Sequence, residues 1–457
     1  MKVVFVNAPH IRSEKSSSEN DFKIDGFVFY PQYGAFKGAK WIFCQFKKLF
    51  GLGGSVRYGV RAGSRWPFTS DKPMSYAPFP FFMGYAAGYL RANGFEVNIL
   101  DAVAQEEYGY KRFLEQIKGQ KADIVVIECS TPTIDIDVWF AQEVTAFAQV
   151  ALAGPHLNPQ TAAEIQKKSP AIKYFLLGEY ILSSLQMAQT RTPGIYPSNV
   201  LKDVDTVPFP FRDYKSAIKY YDPSMPTPRP QLQIYGSKGC AFKCTFCSWP
   251  QAMYAKVVSL RKPEMIAQEI KECVAQYGYK SIFFDDDTFN MGPERVSKLC
   301  DYLKEIGLPW TMMGRLDCSP DWLYDKMVDC GCVGMRFGIE TFDLGVLARV
   351  QKGIERVDFK ATLEHLTKKY PKVMIHLTMM KDMPGMTEEM HQNDMKIMSD
   401  LGYKLSGNIY RSFQLSSCVP FPGTKLYEEL KQSKGEEVLK DYKAYDGGQD
   451  TVMKKVQ

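Results

Sequence analysis

A chain of 457 residues, 45% hydrophobic and 24% charged, has the composition of an ordinary globular protein and is long enough for two cores. Its 57 basic and 51 acidic residues leave a formal charge of +6, too mild at this length to call for nucleic acid or a membrane surface as partner. No run approaches the roughly 20 apolar residues of a membrane span, and the N-terminus MKVVFVNAP reads as a strand rather than a signal peptide. A cytoplasmic protein is expected.

The first elements alternate β-branched runs with helical patterns. KVVFVNAP, FEVNILD, ADIVVIECS, VALAG and KYFLLG are strand-like, and FFMGYAAGYLRANG is an apolar-periodic helix closed by Gly94. Such alternation predicts a parallel sheet covered on both faces, with ligands beyond the carboxyl ends of its strands. Those ends carry Asn7 to His10, Asp101, Ser130 to Thr133, Gly154 to His156, and Gly178 with Glu179. An insertion at about 11–78, rich in glycine, aromatics and basic residues, interrupts the rhythm and is too long for an idle loop. Within it Ile42, Phe46, Leu49 and Phe50 fall at helical spacing beside Lys40, Lys47 and Lys48. A helix packed on its own domain and an interfacial amphipathic helix both explain that pattern. Arg57, Arg61 and Arg65 are candidates to hold an anionic group, or are solvated surface residues.

Residues 201–230 hold six prolines and read as an extended linker, so a domain boundary is expected there. A second series follows: QLQIYGS, SIFFDDD after a helix opened by Pro263, TMMGRLD, VGMRFGIE, VMIHLTMM and RSFQLSS. Ser319 with Pro320, and Thr387 with Glu388 and Glu389, are placed to open helices. Six strands with intervening helices predict an incomplete βα barrel, with function at the carboxyl ends of its strands.

Eleven cysteines in a chain without a secretion signal argue against a disulfide framework. Most, such as Cys129, Cys300 and Cys330, stand among apolar residues as small buried hydrophobes. Cys240, Cys244 and Cys247 differ. They form Cys-x3-Cys-x2-Cys in GSKGCAFKCTFCSWP, directly after the first strand of the second series. Three thiolates from one tight loop can ligate three irons of a cubane and leave the fourth open to a small molecule. Structural zinc would want four ligands, and no fourth Cys or His lies at a suitable local spacing.

This spacing, with Phe246 before the third cysteine, resembles the radical S-adenosylmethionine (SAM) superfamily. IFFDDDTF, RLDCSPDWLYDKMVDCGCVGMRFGIET, the MPGMTEE turn and VPFPGTKLYEEL extend the resemblance over about residues 231–430. It implies a four-iron four-sulfur cluster on the three cysteines, with SAM chelating the open iron and cleaved to a 5′-deoxyadenosyl radical. It places Phe246, Asp286, Arg315, Glu340 and Pro422 around SAM: Asp286 beside its ammonium or hydroxyl groups or else as a helix-capping acid, Arg315 at its carboxylate or else in a structural salt bridge, Glu340 at the ribose, and Pro422 near the adenine. An external electron donor such as flavodoxin or ferredoxin is implied too.

The N-terminal half, through PFPFFMGYAAGYLRANGFEVNILDA, ADIVVIECST, LAGPH and LLGEY, looks like the cobalamin-binding domain that precedes the barrel in one large subfamily. The resulting expectation is an α/β protein. A Rossmann or flavodoxin-like cobalamin-binding domain spans 1–200, a linker 201–230, a partial (βα)6 radical SAM barrel 231–430, and a short C-terminal tail 431–457. Cobalamin would meet Pro9, Ser130, Thr131, Gly154, Pro155, His156, Gly178 and Glu179. The Asp-x-His-x-x-Gly loop of the broader cobalamin domains is missing after the first strand, where His10 stands without its companions. That implies a lower cobalt face left open or bound to water. The subfamily implies methyl transfer to an unactivated carbon or phosphorus. Related enzymes of this architecture catalyse cyclisation or rearrangement instead, and a cluster-bearing sensor is the reading from another class. A small-molecule substrate is expected, and the aromatic insertion with Phe79, Phe81 and Phe82 hints at a hydrophobic one. No catalytic acid or base stands out; Cys318 and Cys418 are candidates only.

Overall fold

The computed structural model of the chain describes residues 1–13, 56–59, 69–70, 76–354, 357–447 and 451–456. The candidate helix at Ile42 to Phe50, with its lysines, and Arg61 and Arg65 lie outside the described residues, as does the side chain of Arg57.

The first sheet has strands β1 (Lys2–Asn7), β2 (Glu96–Asp101), β3 (Ile124–Glu128), β4 (Gln149–Ala153), β5 (Tyr174–Leu176) and β6 (Gly194–Tyr196). All pairings are parallel, in the order β2-β1-β3-β4-β5-β6. Its runs are apolar without alternation because both faces are covered. Val4, Val6, Val125, Ile127, Val150 and Leu152 enter one core, while Val3, Phe5, Ile124, Val126, Ala151 and Ala153 enter the other. Each fully buried valine or isoleucine contributes about 1.5–3 kcal/mol. The strand order reverses between β1 and β3, and open sheets of this type bind ligands in the crevice beyond such a switch point. The sixth strand is one more than the sequence pattern indicated.

The second sheet is also parallel and six-stranded, in sequential order: β7 (Gln231–Ile234), β8 (Ser281–Phe284), β9 (Trp310–Gly314), β10 (Cys332–Glu340), β11 (Met374–Lys381) and β12 (Arg411–Ser417). Helices Pro263–Tyr277, Pro293–Ile306, Asp321–Asp329, Phe359–Lys369 and Glu388–Asp400 connect successive strands. Leu232, Ile234, Phe284, Phe337 and Leu377 pack outward on these helices, so the alternate positions, among them Gln233, Arg336, His376 and Thr378, face the barrel interior. Thr387 caps its helix as expected, its hydroxyl accepting from Met390 N at 3.2 Å. Ser319 does not cap; Pro320 holds that position, and the Ser319 hydroxyl accepts from Asn290 Nδ2 at 2.6 Å.

Residues 201–230 lie packed, not loose. Leu201, Val204, Tyr220 and Met225 are buried, and Arg212 reaches Glu269 of the first barrel helix at 3.6 Å. Glu269 also holds Arg261 at 2.6 Å, and Arg261 holds Asp205 at 2.8 Å. After β12, helix Lys425–Lys434 leads into a segment whose Tyr445, Val452 and Met453 join a core with Cys418 and Met380. Its Tyr442 meets His156 of the first sheet edge to face, 4.8 Å between ring centroids. The two sheets are therefore joined both by the segment between them and by the C-terminal residues.

Candidate active site

Beyond β7 the chain makes the loop that carries the three cysteines. Its base is closed by Ser237–Lys238 pairing antiparallel with Ser259–Leu260. Asp286, just past β8, fixes its start by accepting from Gly236 N at 3.0 Å, Ser237 Oγ at 2.6 Å and the Ser237 amide. Asp287 accepts from Gly239 N at 3.0 Å. Gly239 has φ +85°, and a Cβ there would lie 2.2 Å from Val257 O, so only glycine fits.

Gln251 then organises the cysteines. Its amide donates to the carbonyls of Cys247 at 2.7 Å, Cys244 at 3.1 Å and Thr245 at 3.3 Å, while its oxygen accepts from Lys425 N at 2.9 Å. The Thr245 amide donates to Val350 O at 2.9 Å. Gln251 was not legible as a site residue. It lies on a π-helical turn, Trp249–Met253, whose return toward the cysteines follows from tertiary folding.

The three thiols are half-buried and unpaired by disulfides. Burial, reinforced by the charges of Cys244, Asp287 and Cys240, holds the Cys247 thiol well above its usual range. Burial also raises Cys240, against a hydrogen bond from Thr288 at 3.4 Å. The thiolates thus converge closely enough to oppose one another's ionisation and would be relieved by a cationic centre. Among the described residues no set of three His, Cys, Asp or Glu side chains is placed around a single metal ion. A cubane presents separate irons to its ligands, which suits thiols spread along a loop better than one ion does.

Glu340 ends β10 with φ +69°, a strained backbone for a non-glycine residue. Its Oε1 accepts from Lys352 Nζ at 2.7 Å, and its buried Oε2 has no protein partner. A hydroxyl-bearing ligand is the fitting donor for that oxygen, which suits the ribose expected here. Phe246 packs against the core of Val346, Val350 and Met380. Pro422 is buried on the turn before helix Lys425–Lys434, which meets the loop where Leu426 N donates to Thr245 O at 3.0 Å.

Two of the expected SAM residues have protein partners, Arg315 in the structural salt bridge that was its alternative reading. Asp286 turns its carboxylate to the backbone of Gly236 and Ser237, because three loop donors converge on it, so it shapes the loop rather than facing SAM. Arg315 is clamped by Asp317 at 2.9 and 2.8 Å, donates to Lys352 O at 2.9 Å, and lies 3.5 Å above the Phe242 ring. Its Nε and Nη2 are taken up by these protein partners.

Beyond the carboxyl ends of β3 and β4, Ser130 N and Thr133 Oγ1 donate to Asp137 Oδ2 at 3.0 and 2.8 Å, and His156 Nδ1 lies 3.3 Å from Thr131 Oγ1. Gly154 has φ +115°, and a Cβ there would stand 2.4 Å from Cys129 O. Pro155 is half-buried beside it, and the Pro9 carbonyl accepts from the Tyr110 hydroxyl. Hydroxyls, bare backbone and a neutral imidazole gather here, with the Asp137 carboxylate hydrogen-bonded among them, a setting suited to an amide-bearing macrocycle such as a corrinoid. His10 Nε2 lies 3.5 Å from Asp137 Oδ1, both side chains buried.

Glu179 departs from the cobalamin role expected of it. It accepts from Lys238 Nζ at 2.8 and 2.6 Å and from Leu201 N at 3.2 Å. Its own amide donates to Met253 O at 2.9 Å, and a Cβ on Gly178 would meet Ser198 Oγ at 2.4 Å and Ala252 O at 3.2 Å. Gly178 and Glu179 therefore meet the segment that carries the cysteine loop, across the interface between the sheets.

Burial pushes His156 down to about 3 from an ordinary 6.5. Between those values the unfolded chain binds a proton that the folded chain refuses, so stability falls as pH drops through this window and is fully present above pH 6.5. His156→Asn should flatten the loss, which otherwise approaches about 1.4 kcal/mol per pH unit at its steepest. Urea midpoints measured from pH 7 to pH 4 check this; parallel curves for the two proteins would refute it.

Residues 234–397 match the Radical SAM superfamily. The chain is 25% identical over 379 residues to an uncharacterized methyltransferase of Pyrococcus horikoshii, covering 76% of this chain and 78% of that protein. It is 23% identical over 345 residues to the cytidylyl-2-hydroxyethylphosphonate methyltransferase of Streptomyces wedmorensis, covering 60% and 63%. The solved structure of the radical SAM methyltransferase TsrM from Kitasatospora setae, with cobalamin and a four-iron four-sulfur cluster bound, shares the fold. Its TM-score is 0.61 at 14% identity, covering 79% of this chain and 73% of TsrM. Among the described residues no helix is long and apolar enough to cross a membrane. With its cysteine loop at the mouth of a six-stranded partial barrel and a parallel α/β sheet set before it, the chain is a radical SAM enzyme with the fold of the cobalamin-dependent methyltransferases.

Proposed function

We propose that the enzyme transfers a methyl group to an unactivated carbon or phosphorus centre of a small molecule, using a four-iron four-sulfur cluster, SAM and cobalamin. Residues 1–200 form the corrinoid side and 231–430 the SAM side, with an external flavodoxin or ferredoxin as electron source. The observation that carries the reading is the juxtaposition of the two half-sites. The loop of Cys240, Cys244 and Cys247 is bound directly to the end of β5 through Lys238 and Glu179, on the edge where open sheets hold cofactors. When bound, the cluster would supply the electron that cleaves SAM and the corrinoid the methyl group.

The chain's own part is positional. Cys240, Cys244 and Cys247 hold the cluster, Gln251 fixes their carbonyls, and Glu340 accepts from a ribose hydroxyl while Lys352 neutralises its other oxygen. The packed segment 201–230 and the C-terminal residues keep water from the space between the sheets. The test is anaerobic incubation of the reduced enzyme with cobalamin, a cell extract and SAM carrying a deuterated methyl group. A product three mass units heavier by deuterium is expected alongside 5′-deoxyadenosine. Formation of 5′-deoxyadenosine with an unlabelled product would overturn methyl transfer in favour of cyclisation or rearrangement.

A further inference from the structure

At the opposite end of the barrel from the cysteine loop lies a cavity of about 350 Å³, within the size range of small-molecule sites. Arg336, His376 and Gln414 line its inside, and Leu405, Ile409 and Phe413 its apolar part. Arg336, His376 and Ser412 are in register across β10, β11 and β12, so they form one level of the interior wall. A Cβ at Gly338, two residues further along β10, would lie 2.7 Å from Glu340 Oε1 and 3.2 Å from Lys352 Nζ. That ion pair lies beside the next interior position of β10, on the way to the cysteine loop. Glu340 itself lies about 13 Å up the strand from Arg336.

Two features mark the cavity as built for a ligand. Arg336 is buried, and its Nη2 holds Asp222 at 2.6 Å and also the Ser224 hydroxyl, but its buried Nε has no partner. A buried donor left without an acceptor is uncommon and calls for one. Asp222 already balances the guanidinium charge, so the missing acceptor need not be anionic. The second feature is the loop preceding β12, where Leu405 is 63% and Ile409 50% exposed. Apolar side chains so exposed at the mouth of a cavity point to an apolar partner. Inside, His376 sits 2.9 Å from Ser412 Oγ and 3.4 Å from Gln414 Oε1. Its burial and the nearby Arg336 push it down to about 4, so it is a neutral imidazole at physiological pH.

We infer that the amino-terminal end of the barrel binds an amphipathic small molecule, an apolar chain ending in an uncharged hydrogen-bond acceptor such as an amide or ester. The head meets Arg336 Nε beside His376 and Gln414, and the chain runs out over Phe413, Leu405 and Ile409. Decanamide is a suitable probe, titrated calorimetrically into the full-length, cluster-reconstituted protein, with decyltrimethylammonium as the cationic counterpart. Saturable one-to-one binding of decanamide is expected, at least tenfold tighter than that of the cation. Leu405→Asp with Ile409→Asp changes only exposed positions and should weaken binding tenfold or more. Ser412→Phe, which fills the cavity, should abolish it in a protein that still unfolds cooperatively, at a lower melting temperature because His376 loses its partner. Absence of saturable binding, equal affinity for amide and cation, or unaltered binding in both variants would overturn the assignment.

Discussion

Cys244→Ala is expected to eliminate 5′-deoxyadenosine formation and to remove the broad cluster absorption from the reconstituted protein, while leaving the folded chain intact. Cys244 is half-buried, so its loss opens no core cavity, and the loop is held by groups other than its thiol. Asp286, Asp287 and Gln251 still bind the backbone on either side of it. Gln251→Ala is the informative companion. Three carbonyls and the Lys425 amide lose their partner at once, so the thiols keep their identity and lose their placement. Outer partners of metal ligands are typically worth about 10–100-fold in affinity or activity. Iron and sulfide content together with 5′-deoxyadenosine yield checks both. A Gln251→Ala protein with full cluster occupancy and unchanged yield would refute the organising role given to that side chain.

Lys238→Met is expected to have the largest effect on stability, about 3–5 kcal/mol, because it leaves Glu179 charged and enclosed. Both side chains of this pair are 1% or less exposed, and the nitrogen lies 2.6 Å from one carboxylate oxygen and 2.8 Å from the other. Burial nevertheless outweighs the attraction, pushing Glu179 up and Lys238 down. A pair with that balance adds little net stability over apolar residues of similar shape, so its value lies in fixing position. The double variant Glu179→Leu with Lys238→Met should therefore recover most of the stability lost by Lys238→Met alone. It should still lower the yield of methylated product per 5′-deoxyadenosine formed, since the cysteine loop is no longer tied to β5. Urea denaturation of the two variants and that product ratio are the measurements. A double variant as unstable as the single one, or fully coupled turnover, would contradict this account of the pair.

The strands of the first sheet were legible because burial on two faces leaves uninterrupted β-branched runs, as in VVFV and IVVI, bounded by turn residues at strand length. β6 escaped notice because Gly194–Tyr196 is three residues long and has one buried side chain. The cysteine loop was legible from spacing alone. Its supports were not: Asp285, Asp286 and Asp287 look equivalent in sequence, and only the folded loop shows that Asp286 binds Gly236 and Ser237 while Asp287 binds Gly239. Glu179 read as a cofactor residue because it stands at a strand end, but its partner Lys238 is 59 positions away and belongs to the other sheet. For Arg315 a SAM carboxylate and a structural salt bridge were equally readable from the sequence, and Asp317, two residues on, takes two of its nitrogens. Sequence position thus identified which end of each sheet is functional, and pairing across the fold decided which side chains remain available there.

The most direct test of the central claim, that this cluster acts opposite a corrinoid held by the first sheet, is the visible spectrum of the enzyme purified anaerobically from cells supplied with hydroxocobalamin. The account predicts the broad absorption of a four-iron four-sulfur cluster together with resolved corrinoid bands that persist through gel filtration. A spectrum with the cluster alone, unchanged after incubation with excess cobalamin, would contradict it.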